Sequence, residues 1–164
     1  MTKSSPPSSV PSALENPLWE FSLDFYAHGD VEAFLLACQE ERGADVCLLL
    51  WASYVTAAGR QLSEESWRVA DRGLAPRRRI IATVRNLRRF LGGMRPRTQL
   101  LYERCKRFEL GLEQRQLAAL WKLQQESWPE DRSALALAGQ QYGLPQKEQA
   151  RWAGLIDSYC NERG

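Results

Sequence analysis

From Val46 to Val55 the chain reads Val-Cys-Leu-Leu-Leu-Trp-Ala-Ser-Tyr-Val, a run that leaves almost no polar face on a helix. A helix apolar on nearly all sides has to be enclosed by other elements. The predicted helix, from about Asp45 to Ala58, is therefore the centre of a bundle. Its apolar stretch, Val46 to Ala58, is also the longest in the chain, and it falls well short of the roughly 20 residues that a membrane span needs. With 164 residues, 44% apolar and 26% charged, the chain is close to one domain at roughly 150 residues per domain. Collagen-like, mucin-like and wholly disordered classes are excluded by that composition.

The rest of the chain is helical in pattern, with short breaks. Residues 1–15 are expected to form a disordered Ser/Pro-rich tail, since five serines and three prolines within Met1 to Ser12 offer little to bury. A single all-helical domain, 16–164, follows. Pro17 suits a first helical position with Asn16 as N-cap, and this helix runs to about His28. Asp30 is expected to cap the next, Val31 to about Arg42, which Gly43 ends. Beyond the central helix, Ser63 caps a short helix carrying Trp67, and Pro76 is read as the first turn of a longer one reaching Leu91. Ile80, Val84, Leu87 and Leu91 form its apolar stripe. After Gly92, Gly93 and Pro96, Thr98 caps a long helix to about Glu126, with Leu101, Cys105, Phe108, Leu112, Ala119 and Leu123 as stripe. Two long helices with a short connection form an antiparallel hairpin. Helices over about Ser133 to Tyr142 and Pro145 to Cys160 complete an all-α bundle of six or seven helices.

Charge is unevenly distributed. Between Arg68 and Arg107 thirteen Lys/Arg stand against Asp71 and Glu103, leaving +11, while the remainder holds nine basic and eighteen acidic residues, −9. A helical wheel groups Arg78, Arg85 and Arg89 opposite the Ile80/Val84 stripe. Arg88, Arg95, Arg97, Arg104, Lys106 and Arg107 fall near the hairpin tip. Concentrated positive charge attracts acidic surfaces or phosphate, and arginine suits bidentate pairing with either. The competing reading is a solvated helix face neutralised by the acidic remainder. No run of aromatics is interleaved with the arginines, which weakens the case for single-strand stacking.

Other constellations are thinner. The four cysteines, Cys38, Cys47, Cys105 and Cys160, form no CxxC pair and read as small buried side chains with reduced thiols. With His28 the sole histidine, no metal cluster is expected, and no cofactor motif is present. No secretory signal is visible, so a cytoplasmic location is expected. Glu20, Asp24 and His28 share one face at i, i+4, i+8, the one place where a carboxylate and an imidazole could meet within an element. That face is read as solvent-facing. Glu109 and Glu113 are an i, i+4 carboxylate pair. Gly139, Gly143 and Leu144 allow a helix-turn-helix comparison, but Gln149 falls where a buried aliphatic is expected. Trp128 beside Pro129 is the best exposed aromatic.

The stretches Asn16-Pro17-Leu18-Trp19, Phe21-Ser22-Leu23, Phe25-Tyr26 and Gly43-Ala44-Asp45-Val46-Cys47-Leu48-Leu49-Leu50 resemble the bacterial "domain of unknown function 2390" proteins. The resemblance covers roughly Asn16 to Gly59. In that family pattern an asparagine commonly follows the Asp-Val pair, where this chain has Cys47. The resemblance implies a small cytoplasmic protein with a link to translation, and it supplies no activity, cofactor or catalytic residue.

The sequence thus leads to a non-enzymatic binding or adaptor protein. It would present an Arg-rich hairpin (Arg78, Arg85, Arg88, Arg89, Arg95, Arg97, Arg104, Arg107) to an acidic protein partner. A nucleic-acid module, on ribosomal RNA for example, is the alternative use of the same arginines. An enzyme built on Asp24 and His28 comes third.

Overall fold

The computed structural model describes residues 14–94 and 96–164. The tail expected over residues 1–15 falls outside these except for Leu14 and Glu15. Those two form a turn at the foot of the first helix, and the Leu14 carbonyl accepts from the Gln114 amide at 3.3 Å.

Among the described residues there are seven helices and no strand. They are α1 (Pro17–Tyr26), α2 (Val31–Arg42), α3 (Val46–Ala57), α4 (Glu64–Gly92), α5 (Gln99–Gln124), α6 (Ala134–Tyr142) and α7 (Gln146–Arg163). One isolated antiparallel bridge, Leu62 to Arg132, ties the chain before α4 to the chain before α6. The all-α bundle is as the sequence predicts, and α3 is its buried centre. Cys47 through Ser53 and Val55 of α3 are all buried. One continuous core draws side chains from all seven helices, including Leu18, Leu35, Trp67, Leu117, Leu137 and Trp152.

Local chemistry sets the helix ends. The Asn16 side chain accepts from the Trp19 N–H at 3.0 Å with Pro17 at the first turn, satisfying a donor that the helix start otherwise leaves free. Asp45 does the same for α3, accepting from Cys47 at 2.9 Å and Leu48 at 3.3 Å. Gly43 closes α2 at φ +65°, a left-handed geometry that costs glycine nothing. Asp30 makes no capping hydrogen bond. Nor does Thr98, whose hydroxyl instead donates to the Leu91 carbonyl at 2.6 Å and pins the hairpin turn.

The segment around Pro76 departs from expectation. The short helix at Trp67 and the longer one to Leu91 are a single 29-residue helix with Pro76 inside it. Pro76 removes one backbone donor. It and Arg72, whose carbonyl loses that partner, are both exposed, so water can replace the lost bond.

The two terminal helices pack closely around Gly139. A Cβ there would fall 2.3 Å from the Gln149 amide nitrogen, which donates to the Leu144 carbonyl at 2.8 Å. The polar residue that spoils a helix-turn-helix by sequence is thus accommodated by a missing side chain and a backbone acceptor.

Candidate functional site

The hairpin of α4 and α5 carries the predicted arginines, and the structure separates them into an internal set and an external set. The apolar stripe expected to be the buried face of α4 is buried only at Leu91. Ile80 and Leu87 are 48% and 50% exposed. The positions turned inward are Ala70, Leu74 and Ile81 together with Arg78, Arg85 and Arg88. The wheel therefore has the wrong orientation. What lies opposite α4 is a set of carboxylates, Asp45 at the start of α3 and Glu109 and Glu113 on α5, and arginine meets these where leucine would not.

The internal network is close-knit. Arg78 donates from Nε to Asp45 Oδ2 at 2.7 Å and from Nη2 to Asp71 Oδ1 at 2.8 Å. Arg85 donates from Nε to Glu109 Oε1 at 2.8 Å and from Nη2 to Glu113 Oε1 at 3.2 Å. Arg88 Nε reaches Glu109 Oε2 at 2.7 Å, and its guanidinium lies over the Tyr102 ring, 5.8 Å from the centroid. The Gln39 amide, turned with its oxygen toward Arg85, accepts from Nη1 at 2.9 Å. Glu109 is buried and takes both guanidinium groups; its hydrogen bond holds Arg88 above the ordinary arginine range. Burial, reinforced by the like charge of Glu109, raises the Glu113 carboxyl above the usual glutamate range. Burial also lifts the Cys47 thiol well above its ordinary value, so it is a neutral side chain rather than a nucleophile.

Of these residues Gln39, Asp45, Cys47, Arg78, Arg85 and Glu113 line a cavity of about 280 Å³ between the start of α3 and the middles of α4 and α5. Gln116, 1% exposed, is part of its wall, and its amide nitrogen is buried without a hydrogen-bond partner.

The external set is different. Arg97, Arg104 and Arg107 are exposed, and no ion pair holds them among the described residues. Arg89 is exposed and pairs with exposed Glu40 at 3.2 Å. Arg95 lies outside the described residues. Around these arginines stand exposed Phe90, Met94, Leu100, Leu101 and Phe108. Arg85 and Arg88 face Glu109 and Glu113 across the antiparallel pair. With that facing side fixed, steps of 100° place Ile80 and Leu87 of α4 on the same side as Leu101 and Phe108 of α5. That side faces away from α2 and α3, whose Gln39, Asp45 and Cys47 lie across the cavity. Both apolar stripes read from the sequence therefore exist, and their outer parts form one uncovered face.

Asp24 and His28 do not form a pair. Asp24 meets Arg163 at 2.9 Å, while His28 packs edge-on against Tyr159 with Glu162 3.6 Å from Nδ1. Neither lines the cavity. Trp128 is half-buried, with its indole nitrogen buried and unpartnered. The residue that sequence reasoning misses is Gln116. Its signal is a polar side chain set among Leu112, Leu117 and Leu120 on the buried side of α5.

No group of three or more His, Cys, Asp or Glu positioned for a metal ion occurs among the described residues, and no described helix is long and apolar enough to cross a membrane. Neither curated proteins nor solved structures give a match to the chain. A family model described as "Protein of unknown function (DUF2390)" matches residues 17–120, from the first helix through most of the hairpin. On that match, which spans more than half of its length, the chain belongs to the DUF2390 family.

Proposed function

We propose that this is a non-enzymatic protein-binding module of the cytoplasm. The outer half of its α4–α5 hairpin would receive an acidic, amphipathic helix of a partner protein. One observation carries the reading: Ile80, Leu87, Leu101 and Phe108 form an uncovered apolar face, with Arg97 in the connecting turn and Arg104 on α5 both held by no ion pair among the described residues. Covering a large apolar side chain gains about 1.5–3 kcal/mol, so an unpartnered face of this size is a source of binding energy. Charge selects the occupant. From Arg72 to Tyr102 the chain has no acidic residue, so a second copy laid on this face would bring arginines against arginines. A partner with carboxylates flanking apolar positions would gain at both. Nucleic acid, the alternative taker of the same arginines, stacks its bases on aromatic rings such as Phe108 but has no use for Ile80, Leu87 and Leu101.

The test is affinity capture from nuclease-treated native cytosol, followed by binary binding with the purified partner. The expected result is an acidic protein whose binding survives nuclease and falls at least about tenfold, ~1.4 kcal/mol, for Arg97→Glu/Arg104→Glu. Binding that disappears with nuclease and declines steeply with salt, as counterion release requires, would replace the protein partner with RNA or DNA. Retention of full binding by the double variant would remove the face from the account.

A further inference from the structure

The fold uses only half of each apolar stripe on the hairpin. On α4 the stripe Ile80, Val84, Leu87 and Leu91 is spaced four, three and four residues apart, and on α5 Leu101, Cys105, Phe108 and Leu112 repeat that spacing. Alternation of three and four is the seam spacing of a coiled coil. In each helix the second and fourth residues turn toward the bundle: Leu91 and Leu112 are buried, Val84 and Cys105 half-buried. The first and third, Ile80 and Leu87 on α4 and Leu101 and Phe108 on α5, are exposed. Each of these pairs repeats after seven residues, about 10.5 Å along the helix. Antiparallel counting from Arg85, which meets both Glu109 and Glu113, sets Leu87 about level with Phe108 and Ile80 about level with Arg115. Two half-seams therefore lie side by side and in step. Cationic side chains border them. Ile81 is buried, so Arg79, on the other side of Ile80, falls on the outward flank of α4. Steps of 100° put Arg104 on the outward flank of α5, about 40–60° from Phe108 and Leu101, and Arg115 nearly in line with Phe108. Arg79, Arg104 and Arg115 are exposed and make no ion pair among the described residues.

We propose, resting on the protein-binding reading above, that this face is the seat of a third strand: a helix of the partner lies lengthwise between α4 and α5, with apolar residues at alternating spacings of three and four and carboxylates on both flanks of that stripe. Repeat length selects a helix. The seam residues of a helix recur every ~10.5 Å, in step with Ile80 and Leu87 and with Leu101 and Phe108, so each can drop between side chains of the hairpin. Same-face residues of an extended strand recur every ~6.6–6.8 Å and lose step within one repeat. A lipid surface has no repeat to match. Charge selects the flanks. Carboxylates beside the stripe meet Arg79 on one side and Arg104 and Arg115 on the other, the positions through which coiled coils choose partners by charge. A second copy of the hairpin carries arginine at the same flanks and is repelled.

The probe is a synthetic peptide of three heptads, about 21 residues, with Leu at positions a and d and Glu at e and g. Its glutamates keep its own copies apart. One comparison peptide carries Lys at e and g, and another has the composition of the probe in an order without a helical stripe. Calorimetry reports affinity, circular dichroism reports helix formed on binding, and ¹³C-labelled methyl groups of Ile80, Leu87 and Leu101 report location. The expected result is saturable binding of the Glu peptide, with gain of helix and shifts of those three methyl signals, at least about tenfold tighter than either comparison peptide. Arg79→Glu/Arg115→Glu should weaken it at least about tenfold. No saturable binding of the Glu peptide up to about 1 mM, equal affinity for a comparison peptide, shifts confined to other methyl groups, or affinity unchanged by the double variant would overturn the proposal. So would phosphatidylglycerol vesicles, or the protein's own self-association, moving these methyl signals when the Glu peptide does not. All but the variant are measured on wild-type protein, so a folding defect cannot decide them. Capture of an acidic cytosolic protein through Arg97 and Arg104 without peptide binding would leave the protein-binding reading standing and remove the third strand. Peptide binding without such a capture would leave the seat standing and remove that reading.

Discussion

Glu109 and Glu113 sit one turn apart on the same helix, yet their environments give them opposite weight. Glu109 is the shared acceptor of two arginines and is buried. Removing its charge strands the half-buried Arg88, which has no other carboxylate among the described residues, and leaves Arg85 with Glu113 alone; breaking such a pair costs about 3–5 kcal/mol. Glu109→Gln should lose that much in urea denaturation. Glu113 shares Arg85 with Glu109, so Glu113→Gln leaves the arginine paired and should cost no more than about 1 kcal/mol. The two also differ with pH. The folded protein keeps the Glu113 proton to higher pH than the unfolded chain does. This carboxyl therefore adds stability as pH falls through its folded range, and the gain is complete below the ordinary glutamate value near ~4.3. Glu113→Gln should remove that component of the pH–stability curve, which denaturation midpoints between neutral pH and about pH 4 would reveal.

At the scale of elements, two contacts make sharp predictions. Gly139→Ala places a methyl group against the Gln149 amide and displaces it from the Leu144 carbonyl. In the wild type the substitution should destabilise by about 1 kcal/mol, the worth of that hydrogen bond. In a Gln149→Ala background the clash and the bond are both gone. There the same substitution should stabilise by about 0.5–1 kcal/mol, the usual gain of alanine over glycine inside a helix. A double-mutant cycle with additive effects would contradict this contact. Pro76→Ala restores a backbone donor in the middle of α4 and should raise stability by about 1–3 kcal/mol. The sequence reads element boundaries well wherever a side chain caps the helix, as Asn16, Ser63 and Ser133 do. It fails at Pro76 because a proline at an exposed helix position and one at a helix start leave the same trace. It fails again on the orientation of the hairpin. Leucine stripes mark the face that is apolar, and burial in this hairpin goes in part to arginines that meet carboxylates from three separate stretches of chain. No periodicity within one helix records that those stretches converge.

Across the whole molecule, the buried centre and the uncovered face are made of the same residue types under opposite conditions. Leu48 is fully buried in α3, and Leu48→Ala should cost about 2–5 kcal/mol. Phe90 and Leu101 are mostly exposed, so Phe90→Ser and Leu101→Ser should each shift stability by no more than about 0.5 kcal/mol. That contrast separates side chains that hold the fold from those the fold leaves uncovered. The asymmetry of charge is visible in the sequence, but half of its meaning is not: of the predicted arginines, Arg78, Arg85 and Arg88 are neutralised within the protein, while Arg97, Arg104 and Arg107 are exposed with no ion pair among the described residues. The most direct test of the account places a photoreactive side chain at position 101 in living cells, with Ser158 on α7 as the comparison site. The account predicts a cross-link to an acidic protein from position 101 that is absent from 158 and lost in Arg97→Glu/Arg104→Glu. Cross-links from 101 only to nucleic acid, only to a second copy of this chain, or no more abundant than those from 158 would contradict it.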